Sequence, residues 1–89
     1  MTQEEVLNLA IKAYGEEAQE GVAQEECAEL IQAISKKHRG KPHNIPEEIA
    51  DVEIMLEQLK IINDCNQEVE RIYKQKIKRL YQNVCDMCL

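Results

Sequence analysis

The chain has no tryptophan and no phenylalanine, and its only aromatic side chains are Tyr14, Tyr73 and Tyr81. An aromatic core is excluded, so the interior must be assembled from Ile, Leu, Val, Ala and Met. Three glycines and two prolines in 89 residues leave little punctuation, and the alternation that marks strands is absent. No apolar run approaches the roughly 18 residues of a membrane span, so no membrane partner is expected. The start, MTQEEVLNLAIK, lacks the basic and apolar segments of a secretion signal, which predicts a cytoplasmic protein. No GxxxxGK[ST] or GxGxxG loop is present to cradle phosphates, and no Ser–His–Asp set is visible. Ser35 and Gly40 stand three residues before His38 and His43, so the Glu-x-x-His pairs of a di-iron bundle are missing.

Four cysteines are present: Cys27, Cys65, Cys85 and Cys88. Without a secretion signal they are expected to be free thiols in a reducing compartment. Cys85 and Cys88 form a CxxC, but zinc needs further Cys or His ligands and a redox pair needs a βαβ setting. A frayed tail is the simpler expectation.

The net charge of −6 is unevenly spread. Residues 1–33 carry eight acids and one base, and residues 47–70 again eight acids and one base. Residues 36–41, KKHRGK, carry four bases, and residues 71–79 carry five. So acidic a chain is a poor partner for nucleic acid polymers. Compact basic clusters beside acidic helices suit a smaller, highly charged anion that arrives with a cation.

Periodicity of the 3.6 type runs almost throughout and predicts an all-α single domain over 1–89, a four-helix bundle. Helix 1 begins at the capping box Thr2-x-x-Glu5 and ends at about Tyr14, before Gly15. Its stripe is Val6, Leu7, Ala10, Ile11 and Tyr14. Helix 2 begins between Glu16 and Gly21 and reaches about His38, with Val22, Ala23, Leu30 and Ile34 inward and Cys27 and Ile31 flanking. Gly40 stops it, and Pro42 lies just beyond. Pro46 suits the first turn of helix 3, which runs to about Ile62. Asp64 with Gln67, or else Asn66, is expected to cap helix 4, which runs to about Val84. A chain this short has a marginal core, so completion by oligomerisation is expected, as a homodimer or homotetramer.

Within the stretch IPEEIADVEIML, Glu48 falls on the apolar face. With about 100° per residue, Val52 lies near +40° from it, Met55 near −20°, Leu59 near +20°, and Asp51 near −60°. On helix 2, taking Glu26 as zero at the same roughly 100° spacing, Val22 lies near −40°, Leu30 near +40°, and Glu29 near −60°. Each helix thus aims two carboxylates, at i and i+3, toward an apolar stripe. Either motif alone is common on solvated helices. Two such pairs on consecutive helices are not readily put down to chance. Four carboxylates together repel and resist desolvation. A hard divalent cation relieves this, and all-oxygen ligands suit Mg²⁺ or Mn²⁺, with substrate phosphates completing the shell. The neighbouring Lys36, Lys37, Arg39 and Lys41 are candidate phosphate ligands. As a simpler alternative they complement the C-terminus of helix 2.

Glu25-Glu26-x-x-Glu29, then 18 residues, then Glu48-x-x-Asp51, resembles the EExxE…ExxD signature of the MazG-like, all-α nucleoside triphosphate pyrophosphohydrolases. AIKAYG, EECAELIQAISKKHRGK and EEIADVEIMLEQL extend the likeness, which covers roughly residues 3 to 80. The resemblance implies a Mg²⁺-dependent enzyme that cleaves a nucleoside triphosphate between its α and β phosphates. The products would be a monophosphate and pyrophosphate, and the role nucleotide-pool cleaning. It also implies that Glu26, Glu29, Glu48 and Asp51 hold the metal, and that Glu25 assists through a second cation or the attacking water. A base of the 36–41 loop would meet the phosphates. With so few aromatics, Tyr14 is the candidate platform for the base. Alternatives are a non-catalytic helical oligomerisation module and a nucleotide-binding regulator.

Overall fold

A computed structural model describes the backbone of residues 1–88 and the side chains of residues 1–87. These residues form four helices: α1 (Gln3–Tyr14), α2 (Glu16–His38), α3 (Ile45–Ile62) and α4 (Asn66–Cys88). The described part of the chain is thus all-α, and no helix in it is long and apolar enough to cross a membrane.

Local chemistry sets the boundaries. The Thr2 hydroxyl accepts a hydrogen bond from the Glu5 amide at 3.1 Å, so the expected α1 cap is present. Gly15 ends α1 at φ 96°, a conformation open to glycine. α2 ends in a Schellman motif: the Lys41 amide donates to the Lys36 carbonyl at 2.9 Å and the Gly40 amide to that of Lys37 at 3.0 Å. Gly40, at φ 69°, is the left-handed residue this motif requires. α3 ends the same way with Asp64, at φ 47°, in the glycine position. The Cys65 amide donates to the Lys60 carbonyl and that of Asp64 to Ile61. Asp64 therefore terminates α3 rather than capping α4, a correction to the sequence reading. Asn66 is the first residue of α4, and Cys65, whose carbonyl accepts from the Val69 amide at 2.9 Å, takes the cap position. α4 also runs beyond Val84, and Cys85 lies within it instead of in a frayed tail. The side chain of Cys88 lies outside the described residues.

α2 and α3 form an antiparallel hairpin, because Gln19 meets Gln58 while Glu26 and Glu29 meet Glu48. α1 packs on both. The core is thin: Leu7, Ala23, Ala33 and Met55 are the buried apolar residues. The two alanines let α2 and α3 approach closely. Val6, Tyr14 and Ile34, expected inward, are exposed, as are the flanking Cys27 and Ile31.

Among the described residues, α4 contacts only α3. The helices therefore form a three-helix body with α4 standing off it, and within one chain they do not close into a four-helix bundle. The radius of gyration is 16.3 Å, against about 12 Å for a compact chain of this length.

Candidate metal centre

Each carboxylate owes its place to helical spacing. Glu26 and Glu29 lie one turn apart on α2, and Glu48 and Asp51 one turn apart near the start of α3. The antiparallel hairpin turns the two pairs toward each other. One carboxylate oxygen from each of Glu26, Glu29 and Glu48 lies within 4.8 Å of the others. Glu26, Glu48 and Asp51 are half-buried and Glu29 is exposed. Asp51 stands outside the converging trio, yet its charge acts on both Glu26 and Glu48.

The electrostatics are unfavourable as they stand. Burial is the main cause that raises the Glu26 carboxyl above its ordinary 4.5, followed by the charges of Glu29, Asp51 and Glu48. Burial also leads for Glu48, with Glu29, Asp51 and Glu47 adding to it. Glu26 Oε2 and Glu48 Oε2 are buried and have no hydrogen-bond partner. The ion pairs among the described residues are Lys60 with Glu57 and Lys74 with Glu70, and neither involves the cluster. Unpaired buried carboxylate oxygens are costly. The donors are all oxygen and anionic, which fits a hard cation such as Mg²⁺ or Mn²⁺ and suits a soft metal poorly.

The remaining candidates stand apart. Glu25 is exposed and outside the trio. Lys36, Lys37, Arg39 and Lys41 are exposed at the end of α2 and form no ion pair among the described residues. Arg39 Nε donates to the Ser35 carbonyl at 3.4 Å, which ties it to its own helix end. Lys36 lies seven residues past Glu29, about 10 Å along the helix. Tyr14 is 71% exposed at the end of α1.

A buried amide pair escaped the sequence reading. Gln19 Nε2 donates to Gln58 Oε1 at 2.7 Å, and both residues are buried. Gln19 lies two turns before Glu26, about 20° from it around the helix, so its place on the stripe was the available signal. The pair locks the register of α2 against α3 and so holds the carboxylates opposite one another. A groove of about 1010 Å³ runs between α1, α3 and the root of α4, and no carboxylate of the cluster lines it. No protein-family profile, curated protein or solved structure matches the chain.

Proposed function

We propose that the protein is a Mg²⁺-dependent nucleoside triphosphate pyrophosphohydrolase of the MazG-like kind, acting as a homo-oligomer in nucleotide-pool cleaning. The observation that carries this reading is the cluster itself. Two buried, unpartnered carboxylate oxygens stand beside a third carboxylate in an apolar seam, with no base to neutralise them among the described residues.

Glu26, Glu29 and Glu48 would hold the cation, and Asp51 would close the shell from the next turn of α3. When bound, Mg²⁺ supplies charge neutralisation at the phosphate oxygens and lowers the pKa of a water. The protein's own residues do the rest. The half-buried seam limits water around the carboxylates, which strengthens their hold on a cation. The Gln19–Gln58 lock keeps α2 and α3 in register. Glu25, exposed and next in sequence to Glu26, would orient the attacking water and take its proton. The water oxygen bonds to phosphorus, the α–β anhydride bond breaks, and pyrophosphate leaves with the bonding electrons. Lys36, Lys37, Arg39 and Lys41 would hold the outer phosphates and offset charge on the leaving group.

The second reading is a helical oligomerisation module or a nucleotide-binding regulator, favoured by the large uncovered apolar face of α4. A panel of standard and modified nucleoside triphosphates, assayed for pyrophosphate with and without Mg²⁺, separates the readings. The enzyme releases pyrophosphate, not orthophosphate, and only with the metal. No turnover across the panel rejects the hydrolase. Binding without turnover identifies the regulator.

A further inference from the structure

Tyr73, Ile77, Leu80, Val84 and Met87 follow one another on α4 at alternating intervals of four and three residues. That spacing makes the seam by which one helix packs lengthwise on another. All five are uncovered, from 49% exposed at Ile77 to 83% at Met87. The groove beside the root of α4 offers the complementary surface. Val6, Leu7, Ile54 and Leu59 give it an apolar floor, Val69 and Tyr73 at the root of the same chain's α4 close one side, and Glu53 and Glu57 also line it, so Ile77, Leu80, Val84 and Met87 are the part of the seam left for a second copy.

Area and charge identify the occupant. The chain exposes 7293 Å², whereas a compact monomer of its mass exposes about 5,400 Å². The excess is roughly 1,900 Å² per chain. Two copies covering it would bury about 3,800 Å² in total, within the range of obligate homodimers. α4 carries five bases and three acids, whereas residues 1–65 carry fourteen acids and six bases. Pairing α4 with another α4 sets Lys74 and Lys76, which flank the seam, in a surplus of like charge. Seating α4 on the acidic body brings its lysines toward Glu53 and Glu57.

We propose that α4 of one copy lies in the groove of a second copy and that the second α4 lies reciprocally in the first, a two-fold exchange of helices. The inference rests on the homo-oligomeric part of the proposed function and is independent of its chemistry. Isologous contact uses each surface twice and closes the assembly at two.

Two variants test it by sedimentation, with helicity followed by circular dichroism: Leu80→Glu on the helix and Ile54→Glu in the groove. Both positions are half-exposed in one chain. The wild type is expected to sediment as a dimer, and each variant alone as a monomer, with dimer affinity lowered at least ~100-fold by a desolvated charge. An equal mixture of the two variants is expected to associate more strongly than either variant alone, because the mixed dimer keeps one wholly intact contact whereas each variant alone has both contacts broken. If a glutamate variant loses helicity, Leu80→Ser and Ile54→Ser provide the same comparison more mildly. A groove variant that stays dimeric while the helix variant is monomeric shows α4 pairing with itself and overturns the exchange. A mixture that associates no more strongly than the separate variants overturns it as well. A dimeric wild type with both variants unaffected overturns the exchange alone, whereas a monomeric wild type overturns the homo-oligomer too.

Discussion

The α2–α3 hairpin and α4 solve opposite problems. α4 segregates apolar from polar residues most cleanly of the four helices, yet it is the least covered. α2 segregates them least, yet with α3 it makes the most extensive contact in the chain. The reason is chemical. The seam between α2 and α3 contains Glu26, Glu48 and the Gln19–Gln58 pair, all polar groups on an inward face. A surface helix with that pattern would be poorly designed, whereas a helix lining a site needs it. α4 meets α3 only near its root, and its stripe from Ile77 to Met87 is exposed. Polar groups in an apolar seam are what the proposed metal site requires, and an uncovered apolar face is what the proposed exchange requires.

Glu48→Gln gives the sharpest break in this comparison. It removes one negative charge and keeps the shape. Pyrophosphate release is predicted to fall by about 100- to 1,000-fold, the usual loss when one fixed electrostatic group is removed. The metal-free fold is predicted to become more stable, since a repelled carboxylate is gone. Steady-state kinetics and metal-free thermal melts measure the two effects. Equal activity, or a less stable metal-free fold, would make Glu48 a structural group rather than a site group.

The amide lock comes next. Gln58→Leu leaves Gln19 buried without its partner and is predicted to cost about 1–3 kcal/mol. The double variant Gln19→Leu/Gln58→Leu is predicted to recover most of that loss, and urea denaturation of the double-mutant cycle reports it. The double variant is also predicted to lose Mg²⁺-dependent activity, because register is then set by apolar packing alone. Gly40→Ala has a smaller effect, about 1–2 kcal/mol, from forcing a side chain into the left-handed conformation. Urea denaturation again provides the readout, and an unchanged midpoint would argue against the strained turn.

The gentlest test uses pH. Glu26 and Glu48 are both raised in the folded chain above 4.5. A raised carboxyl favours the folded state while it is protonated. The contribution is therefore fully present below pH 4.5 and is lost as pH rises through the raised values. In EDTA, the melting temperature of the wild type relative to Glu48→Gln is predicted to fall between pH 4.5 and 8. Added Mg²⁺ is predicted to cancel that fall, because the cation takes the place of the protons. A pH-independent difference would mean that neither burial nor the neighbouring carboxylates raise Glu48 in the folded chain.

Much of the hairpin was legible in the sequence. Helical spacing alone set Glu26 and Glu48 on inward faces with Glu29 beside them at the exposed edge, while Asp51 fell outside the trio, and the loop KPHNIP is short enough to turn those faces together. Thr2 and Gly15 fixed α1, and Gly40 with Pro46 fixed the turn between α2 and α3. Three things were not legible. Asp64 was misread because a left-handed aspartate ends α3, a conformation that the sequence does not advertise as glycine would. The Gln19–Gln58 bond depends on tertiary register, which no local pattern encodes. The separation of α4 from the body was hidden because an amphipathic stripe says only that something covers it, not whether the cover is the same chain.

Titration of Mn²⁺, followed by the electron paramagnetic resonance of the free ion, tests the central claim most directly. The account predicts that the wild-type protein removes Mn²⁺ from solution at neutral pH, that Mg²⁺ displaces it, and that Glu48→Gln and Glu26→Gln lose most of the binding while keeping wild-type helicity. Equal Mn²⁺ uptake by the wild type and both variants, or none by any of them with a nucleoside triphosphate present, would contradict it.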